Sequence, residues 1–568
     1  MSGSSPAQDG PAPGLAGLLD VRSFFSEGRG TSSPRLLVRE AAARGYGTLA
    51  LTDWLSVGGV VELQHNARVH GLRAVIGAAV PLQTGAGVFP VVLLCASRDG
   101  YRNLNELITL CRFHGQEAVT AGQLEELGAD LHLLTGGRDG FPTQLLAARR
   151  RGRLEEVMRE LSSALPGRLH VQLYFDRQPW DRRRATLLRR LAHELRLPAV
   201  AAPRVSYAAP EDFPLYDALV CAREGIDVNT PHPARPQTRA GHLGDPASWA
   251  AALPFRDALL NTAELCRQLP FDLQPERMSP PWVHVPAGYT ADSHLRGLCL
   301  KALPRRYGPE RREEARRVLL KELRVISEQR FPELFLACRE IVDYCDRQGI
   351  LSSARGSAAS SITCYLLGIS KIDPLEHGLL FERFLFQGQQ SAPDIDIDIS
   401  SERRDEVLDW VERRFGGQDG WGEAMVSNRI TYRTPLALQD LGRAVGLPPP
   451  LRNRLSKSLG RDFRRLPPRE LARADEQLSE VLGDAPVKHT LCRVLGRMER
   501  GHFRHFAPHS GGVVLSERPL SWYSPQYRSA GGIRALQFDK DDAEWLGLIK
   551  LDLLALRSLS ALEAAGEE

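Results

Sequence analysis

Residues 18–270 alternate short apolar runs with amphipathic helical stretches. "RLLVREAAARGYGTLALTD" reads as helix then strand, and "ARVHGLRAVIGAAVPL" repeats that order. "FPVVLLCAS", "RLHVQLYF" and "RLPAVAAP" are further strand candidates. Repeated helix–strand alternation predicts an α/β domain, barrel-like or layered. Turn residues crowd "VNTPHPARPQTRAGHLGDPASWA" at 228–250, an expected exposed loop, and the Pro-punctuated "LPFDLQPERMSPPWVHVPAG" closes the domain. From about residue 290 the period becomes helical, with "PERREEARRVLLKELRVISEQ" starting near Pro309 and pairing Glu with Arg along its turns. Residues 401–510 read as mainly helical and Arg-rich, and "HSGGVVLS" and "LGLIKLDLLAL" return to strand character.

One strand breaks the usual logic. "SAPDIDIDIS", residues 391–400, alternates aspartate with isoleucine. Successive side chains of a strand point to opposite faces, so Asp394, Asp396 and Asp398 share one face and Ile395, Ile397 and Ile399 the other. Same-face neighbours lie ~7 Å apart, and a row of like charges at that spacing calls for open water or a cation. In "LGLIKLDLL" Lys550 and Asp552 likewise share a face, and an acid in that apolar setting is costly without a partner. If the two strands are neighbours, Asp552 joins the aspartate row, and such carboxylates can hold two Mg²⁺ ions. A second element, "SARGSAASSITCYLLG", places Arg355, Gly356 and Ser357 before an apolar helix whose N-terminal N–H groups form an expected phosphate cradle; close packing of small residues is the alternative.

Composition narrows the classes. With 43% apolar and 25% charged residues the 568-residue chain is that of a soluble globular protein of two to four domains. No run of about 18 apolar residues can span a bilayer. The Gly/Pro/Ser-rich start, residues 1–17, reads as a disordered tail rather than a signal peptide. Nine scattered cysteines without a CxxC argue against zinc and against a disulfide scaffold, and for a reducing, cytoplasmic location. The net charge of +4 proves no nucleic-acid partner, although arginines cluster in "DRRRATLLRRL" and "GRDFRRLPPRE".

In order along the chain, "ARGSAASS", "GISKIDPLEHGLLFERFL", "APDIDIDI", "VSNRITYR", "HSGGVVLS" and "QFDKDDAEWLGLIKLDLLALRSLS" resemble bacterial C-family DNA polymerases, the family of the DNA polymerase III alpha subunit. "ISSERRDEVLDWVERRFG" and its sequel are closer to the error-prone branch. "RGYGTLALTDW", "IGAAV" and "RDGYRNLNELI" stand where that family has its polymerase-and-histidinol-phosphatase (PHP) domain. The resemblance implies an α/β multidomain chain: a PHP-like (β/α) barrel over 18–270, then a nucleotidyltransferase-type palm over 271–435 and 509–568, with a helical thumb at 436–508. It implies Asp396, Asp398 and Asp552 as catalytic, metal-binding carboxylates for two Mg²⁺ ions, with Asp394 in support. Arg355, Gly356 and Ser357 would hold the triphosphate of a dNTP, Lys550 lying nearby, while a primer 3′-hydroxyl on a DNA template attacks the α-phosphorus.

Several positions depart from that pattern. Where the family carries "NPER", Phe386-Gln387-Gly388-Gln389 follows "ERFL", so an arginine is replaced at Gln389, and Gln439 also stands where arginine is usual. A neutral amide forfeits the charge-assisted bond of a phosphate clamp. The PHP motif "HxHSxYS" is here "DVRSFFS", with Asp20 and Arg22 for both histidines; Trp54, Ala79 and Ser206 replace further ligands. A PHP-like domain without a metal and without phosphoesterase activity is therefore expected. The chain also stops sixteen residues after Asp552, so fingers, clamp-binding and OB regions are expected to be absent, and a second polypeptide supplying fingers is a possible partner. The alternative to an active polymerase is a truncated paralogue that binds DNA or a partner.

Overall fold

The computed structural model describes residues 14–278, 280–386, 388–389, 392–416, 422–458, 467–471, 475–483 and 485–567. The expected tail at 1–17 lies, up to residue 13, outside the described residues. The chain forms two compact units, each built from two stretches: Met1–Leu273 with Arg429–Phe506, and Gln274–Asn428 with Ala507–Glu568.

In the first unit the strands are β1 (Gly17–Val21), β2 (Thr48–Trp54), β3 (Arg73–Thr84), β4 (Gly87–Cys95), β5 (Val119–Thr120), β6 (Leu131–Leu134), β7 (Leu169–Leu173), β8 (Ala199–Ala201) and β9 (Arg204–Val205). They make one sheet in the order β8-β7-β6-β4-β3-β2-β1-β9, with β5 beside β3. The two edge strands, β8 and β9, are separated by only Ala202 and Pro203. Two residues span less than about 11 Å, so the sheet must curl until its edges nearly meet. It is a barrel-like sheet left open between β8 and β9. It also departs from an all-parallel (β/α) barrel, because β4 returns antiparallel to β3 through a tight hairpin at Thr84–Gly87.

Helices cap this sheet with local sequence logic. Ser33 precedes Pro34–Ala43, and its hydroxyl accepts from the Leu36 N–H while Pro34 supplies the preset φ of a first helical residue. The helical segment expected as a separate thumb instead shares a core with helix Phe213–Glu224. Leu215, Ala218 and Leu219 pack with Leu438, Leu441, Leu491 and Leu495, all nearly inaccessible. Among its helices are Thr434–Ala444 and Pro486–Gly496.

The remaining strands are β10 (Ser352–Arg355), β11 (Asp396–Ser400), β12 (Glu423–Thr431), β13 (Phe503–Leu515), β14 (Gln526–Arg528), β15 (Arg534–Leu536) and β16 (Ile549–Leu556), all in the second unit except residues 429–431 of β12 and 503–506 of β13. Their sheet runs β10-β11-β16-β13-β12-β15-β14. Its core joins the strand isoleucines to three helices, Ala291–Arg306, Pro309–Glu328 and Pro332–Gln348. Ile395, Ile397 and Ile399 are each fully buried, worth about 1.5–3 kcal/mol apiece before entropy is counted. That burial fixes the register, since a one-residue slip would exchange isoleucine for aspartate in the core.

Candidate active site

With the isoleucine face committed to the core, the aspartates are forced onto the opposite face. β11 pairs parallel with β16, and the register sets Asp396 beside Asp552. One carboxylate oxygen from each of Asp394, Asp396 and Asp552 lies within 4.8 Å of the others. Asp398 is one step further along β11, beside Leu554, and stands outside that group of three. Burial grades along the row: Asp394 is exposed, Asp396 half-buried, and Asp398 and Asp552 are buried at 6% and 8% exposure. Burial raises the Asp396 carboxyl above its ordinary value, and Asp394 and Asp552 push the same way, against Arg355 and Lys550. Asp398 is raised by burial too, with Arg355 opposing.

The cations named from the sequence sit on this row. β10 runs antiparallel to β11 with Arg355 opposite Asp396. The Arg355 guanidinium lies 3.7 Å from Asp396 Oδ2 and 3.4 Å from Asp398 Oδ1. Lys550 Nζ donates to Asp552 Oδ2. Gly356 takes φ +65°, which glycine allows freely, and turns the chain out of β10.

The phosphate cradle expected at the following helix needs correction. Gly356–Ser360 is a short 3₁₀ turn, and the helix itself, Ile362–Leu366, has its N-terminus occupied from inside. The buried Glu322 carboxylate accepts from the Ile362 and Thr363 N–H groups at 3.0 Å each, and from the Ser361 and Thr363 hydroxyls at 2.8 and 2.9 Å. Those N–H groups are not free for a phosphate. Ser357 lies outside that clip and lines an open cleft of about 1340 Å³ together with Asp394, Arg330, Arg383 and Gln389.

Three residues near the carboxylates carry no role in the sequence reading. His509 Nδ1 accepts from the Gly511 and Gly512 N–H groups at 3.2 and 2.8 Å, and lies 3.9 Å from Asp552 Oδ1. An accepting Nδ1 places the proton of the neutral ring on Nε2. Burial lowers the His509 pKa, and Asp552 opposes. Gly512 faces Asp552 across the antiparallel β13–β16 pair, where a Cβ would meet Val426 Cγ2 at 2.8 Å and His509 Nδ1 at 3.0 Å. Arg404 donates from Nε to the Leu553 carbonyl at 2.8 Å and from a terminal nitrogen to the Ser510 carbonyl, bracing β16 and β13. The His-Ser-Gly-Gly run was the visible sign for His509; Arg404, one of two adjacent arginines in "SERRDE", gave none.

An oxygen-only donor set suits a hard divalent cation. Asp398 Oδ1 and Asp552 Oδ1 are also buried without a hydrogen bond. A buried carboxylate oxygen left bare is costly, and a cation removes that cost. The residues present fit a divalent metal.

Most positions at which the resemblance places PHP ligands are buried. Asp20 is fully buried and accepts from Gln172 Nε2 at 3.0 Å and from Arg204 Nε at 3.2 Å. Arg22 is buried with its guanidinium 5.9 Å from the Trp54 ring centre, and Ala79 and Ser206 are buried. The neighbouring Asp53 accepts from the Ser23 N–H and hydroxyl at 2.7 Å each, and from the Ser26 hydroxyl at 2.6 Å.

Comparison with known proteins finds two family matches along the chain. Residues 293–555 match the family described as bacterial DNA polymerase III alpha NTPase domain, and residues 19–173 match the PHP domain. The PHP match precedes the polymerase match along the chain. The chain is similar to proteins named error-prone DNA polymerase: 34% identical to that of Symbiobacterium thermophilum over 96% of this chain and 52% of the relative. The corresponding values are 35%, 97% and 52% for Bordetella parapertussis, and 34%, 96% and 51% for Pseudomonas aeruginosa. The chain thus spans about half the length of the curated relatives it matches. Among solved structures, an amidohydrolase from Chromobacterium violaceum is similar at 14% identity over 34% of this chain and 88% of the other, with a TM-score of 0.25. That value is too low to bear on function. Among the described residues, no helix is long and apolar enough to cross a membrane.

Proposed function

We propose that this chain is a template-directed DNA polymerase of the C family, adding dNTPs to a primer in error-prone repair or replication. The observation that carries the reading is the Asp396–Asp552 register, which brings Asp552 beside the aspartate row of β11, where Asp398 Oδ1 and Asp552 Oδ1 are buried without a hydrogen bond. Asp396, Asp398 and Asp552 would hold two Mg²⁺ ions, with Asp394 in support; the metal supplies charge neutralisation at the transferred phosphoryl group and a more acidic primer hydroxyl. The chain's own residues do the positioning. Arg355, on the strand edge opposite Asp396, orients the triphosphate once the carboxylates it now faces are engaged elsewhere, and Lys550 does the same from β16. Ser357, with Arg330 and Arg383, lines the cleft in which the triphosphate would lie. Gly356 keeps that turn free of a side chain. Holding reacting groups in line is worth roughly 7–11 kcal/mol of barrier, so these contacts matter as much as charge. Nine cysteines without a disulfide fit work in a reducing compartment such as the cytoplasm.

A second reading has one specific observation behind it. Arg355 and Lys550 already neutralise Asp396, Asp398 and Asp552 within the fold, as expected of a paralogue that binds DNA or a partner without catalysis. Mg²⁺-dependent primer extension by the full chain separates the two, with Asp396→Ala/Asp398→Ala as the blank. Extension abolished by the double change supports the polymerase. DNA binding without extension, indifferent to the double change, overturns it in favour of the paralogue.

A further inference from the structure

The first unit contains a cavity of about 710 Å³ at the carboxyl ends of β1, β6 and β7. These strands run parallel, so the segments that follow them converge at one end of the sheet, where α/β proteins place their ligands. Its lining includes seven arginines against three carboxylates, Asp139, Asp176 and Glu224. Most of these arginines are accounted for. Arg204 pairs with Asp20 and Asp139, Arg138 with Asp176, Arg223 with Glu224 and Arg235 with Asp217.

Arg22 and Arg29 are different. Among the described residues neither forms an ion pair, and both lie against the Trp54 ring, with guanidinium carbons 5.9 and 4.6 Å from its centre. Arg22 is 7% exposed, and its Nε is buried without a hydrogen bond. Burial and then Arg204 pull the Arg22 pKa down to about 10; burial, then Arg223 and Arg22, pull Arg29 down to about 9. Both stay cationic near neutral pH, so the fold holds two desolvated, mutually repelling guanidinium groups beside a cavity. A buried donor left unsatisfied is rare in a folded protein and asks for a partner. An anion answers both needs at once.

We propose that this cavity is a metal-independent binding site for a polyphosphate-bearing anion of pyrophosphate or nucleotide size, gripped by Arg22 and Arg29. Guanidinium forks match phosphate oxygens in pairs, which a lone carboxylate ligand exploits less fully. The volume exceeds that of a single phosphate and lies in the usual range of small-molecule pockets. Tyr174 and Trp180 add aromatic surface, and the Tyr207 hydroxyl is a further buried polar group without a hydrogen bond. The site binds and does not hydrolyse: the ligand positions that would activate water are held by Arg22, Trp54, Ala79 and Ser206. The arginine that expels a cation is the group that attracts the anion.

The test uses the full chain in EDTA, with titration calorimetry and thermal melting against inorganic phosphate, pyrophosphate, a dNTP and, as a generic anion, sulfate. Pyrophosphate or the dNTP should bind and raise the melting temperature, clearly more than sulfate does. Arg22→Met/Arg29→Met should weaken that binding about tenfold or more, while the unliganded variant melts no lower than the parent because a repulsion is gone. Asp396→Asn/Asp552→Asn should keep the response, which separates this site from the proposed palm. If the double arginine variant does not fold, Arg29→Met alone, at a half-buried position, should still lose most of the response. No binding by any phosphate at millimolar concentration, a response unchanged in Arg29→Met, or a response lost in the aspartate variant would each overturn the proposal.

Discussion

Asp394, just before β11, and Asp398, within it, flank Asp396 in the aspartate row, yet their surroundings differ in kind. Asp394 is solvated and can bear its charge without help; Asp398 is buried, with one oxygen bare of hydrogen bonds and only Arg355 nearby. Under the proposed polymerase function, metal-dependent activity should therefore depend far more on Asp398. In primer extension, Asp398→Asn is expected to reduce the rate by about a hundredfold or more, and Asp394→Asn by about tenfold or less. Comparable losses in both, or the reverse order, would assign the ligand set to Asp394, Asp396 and Asp552. The alternation of "DIDIDI" made this row legible before any fold was known, because a strand admits only two faces and isoleucine claims one. The alternation alone did not tell which two of the three aspartates matter, and only the family resemblance singled out Asp396 and Asp398: their difference from Asp394 depends on burial by β10 and β16, elements far apart in sequence.

Among the elements, the short helix Ile362–Leu366 is held by a side chain from another helix. Glu322→Ala would leave two backbone N–H groups and two hydroxyls without their acceptor, an expected loss of about 3 kcal/mol or more in chemical denaturation. The pH dependence has a definite sign. Burial raises the Glu322 pKa from 4.5 to about 7, against the opposing pull of its donors. A folded-state value above the unfolded one gives stability that is fully present below pH 4.5 or so and is lost as pH rises through about 7. Denaturation midpoints at pH 5 and pH 8 should show that fall, and Glu322→Gln should flatten it; equal slopes in both proteins would refute the assignment. Gly512→Ala should cost about 1–3 kcal/mol, since the added methyl meets Val426 and the His509 ring across the β13–β16 pair. The run of small residues at 353–368 suggested an open phosphate cradle because its sequence carries the small hydroxyl residues but no trace of a carboxylate thirty-nine or more positions upstream. Local composition names donors; it does not name who has already taken them.

At the scale of the molecule, two units with separate cores imply separable losses. Leu441 is fully buried between helices Thr434–Ala444 and Phe213–Glu224. Leu441→Ala should lower the stability of the first unit by about 2–5 kcal/mol and leave Mn²⁺ binding at the aspartate row of the second unchanged, read by calorimetry on the same sample. The α/β character of residues 18–270 followed from their strand and helix periods, and so did the helical character of much of 434–496. The company those helices keep did not, since an apolar stripe records that something covers it without recording what. That arrangement has a consequence for synthesis. The stripe on Phe213–Glu224 leaves the ribosome more than two hundred residues before the helices that cover it. At about 5–20 residues per second it waits some tens of seconds, uncovered, while the entire first stretch of the other unit is being translated. During that interval the nascent chain offers a greasy helix to any chaperone or neighbouring polypeptide, so rapid elongation through residues 225–434 would favour yield, and pausing there would favour aggregation.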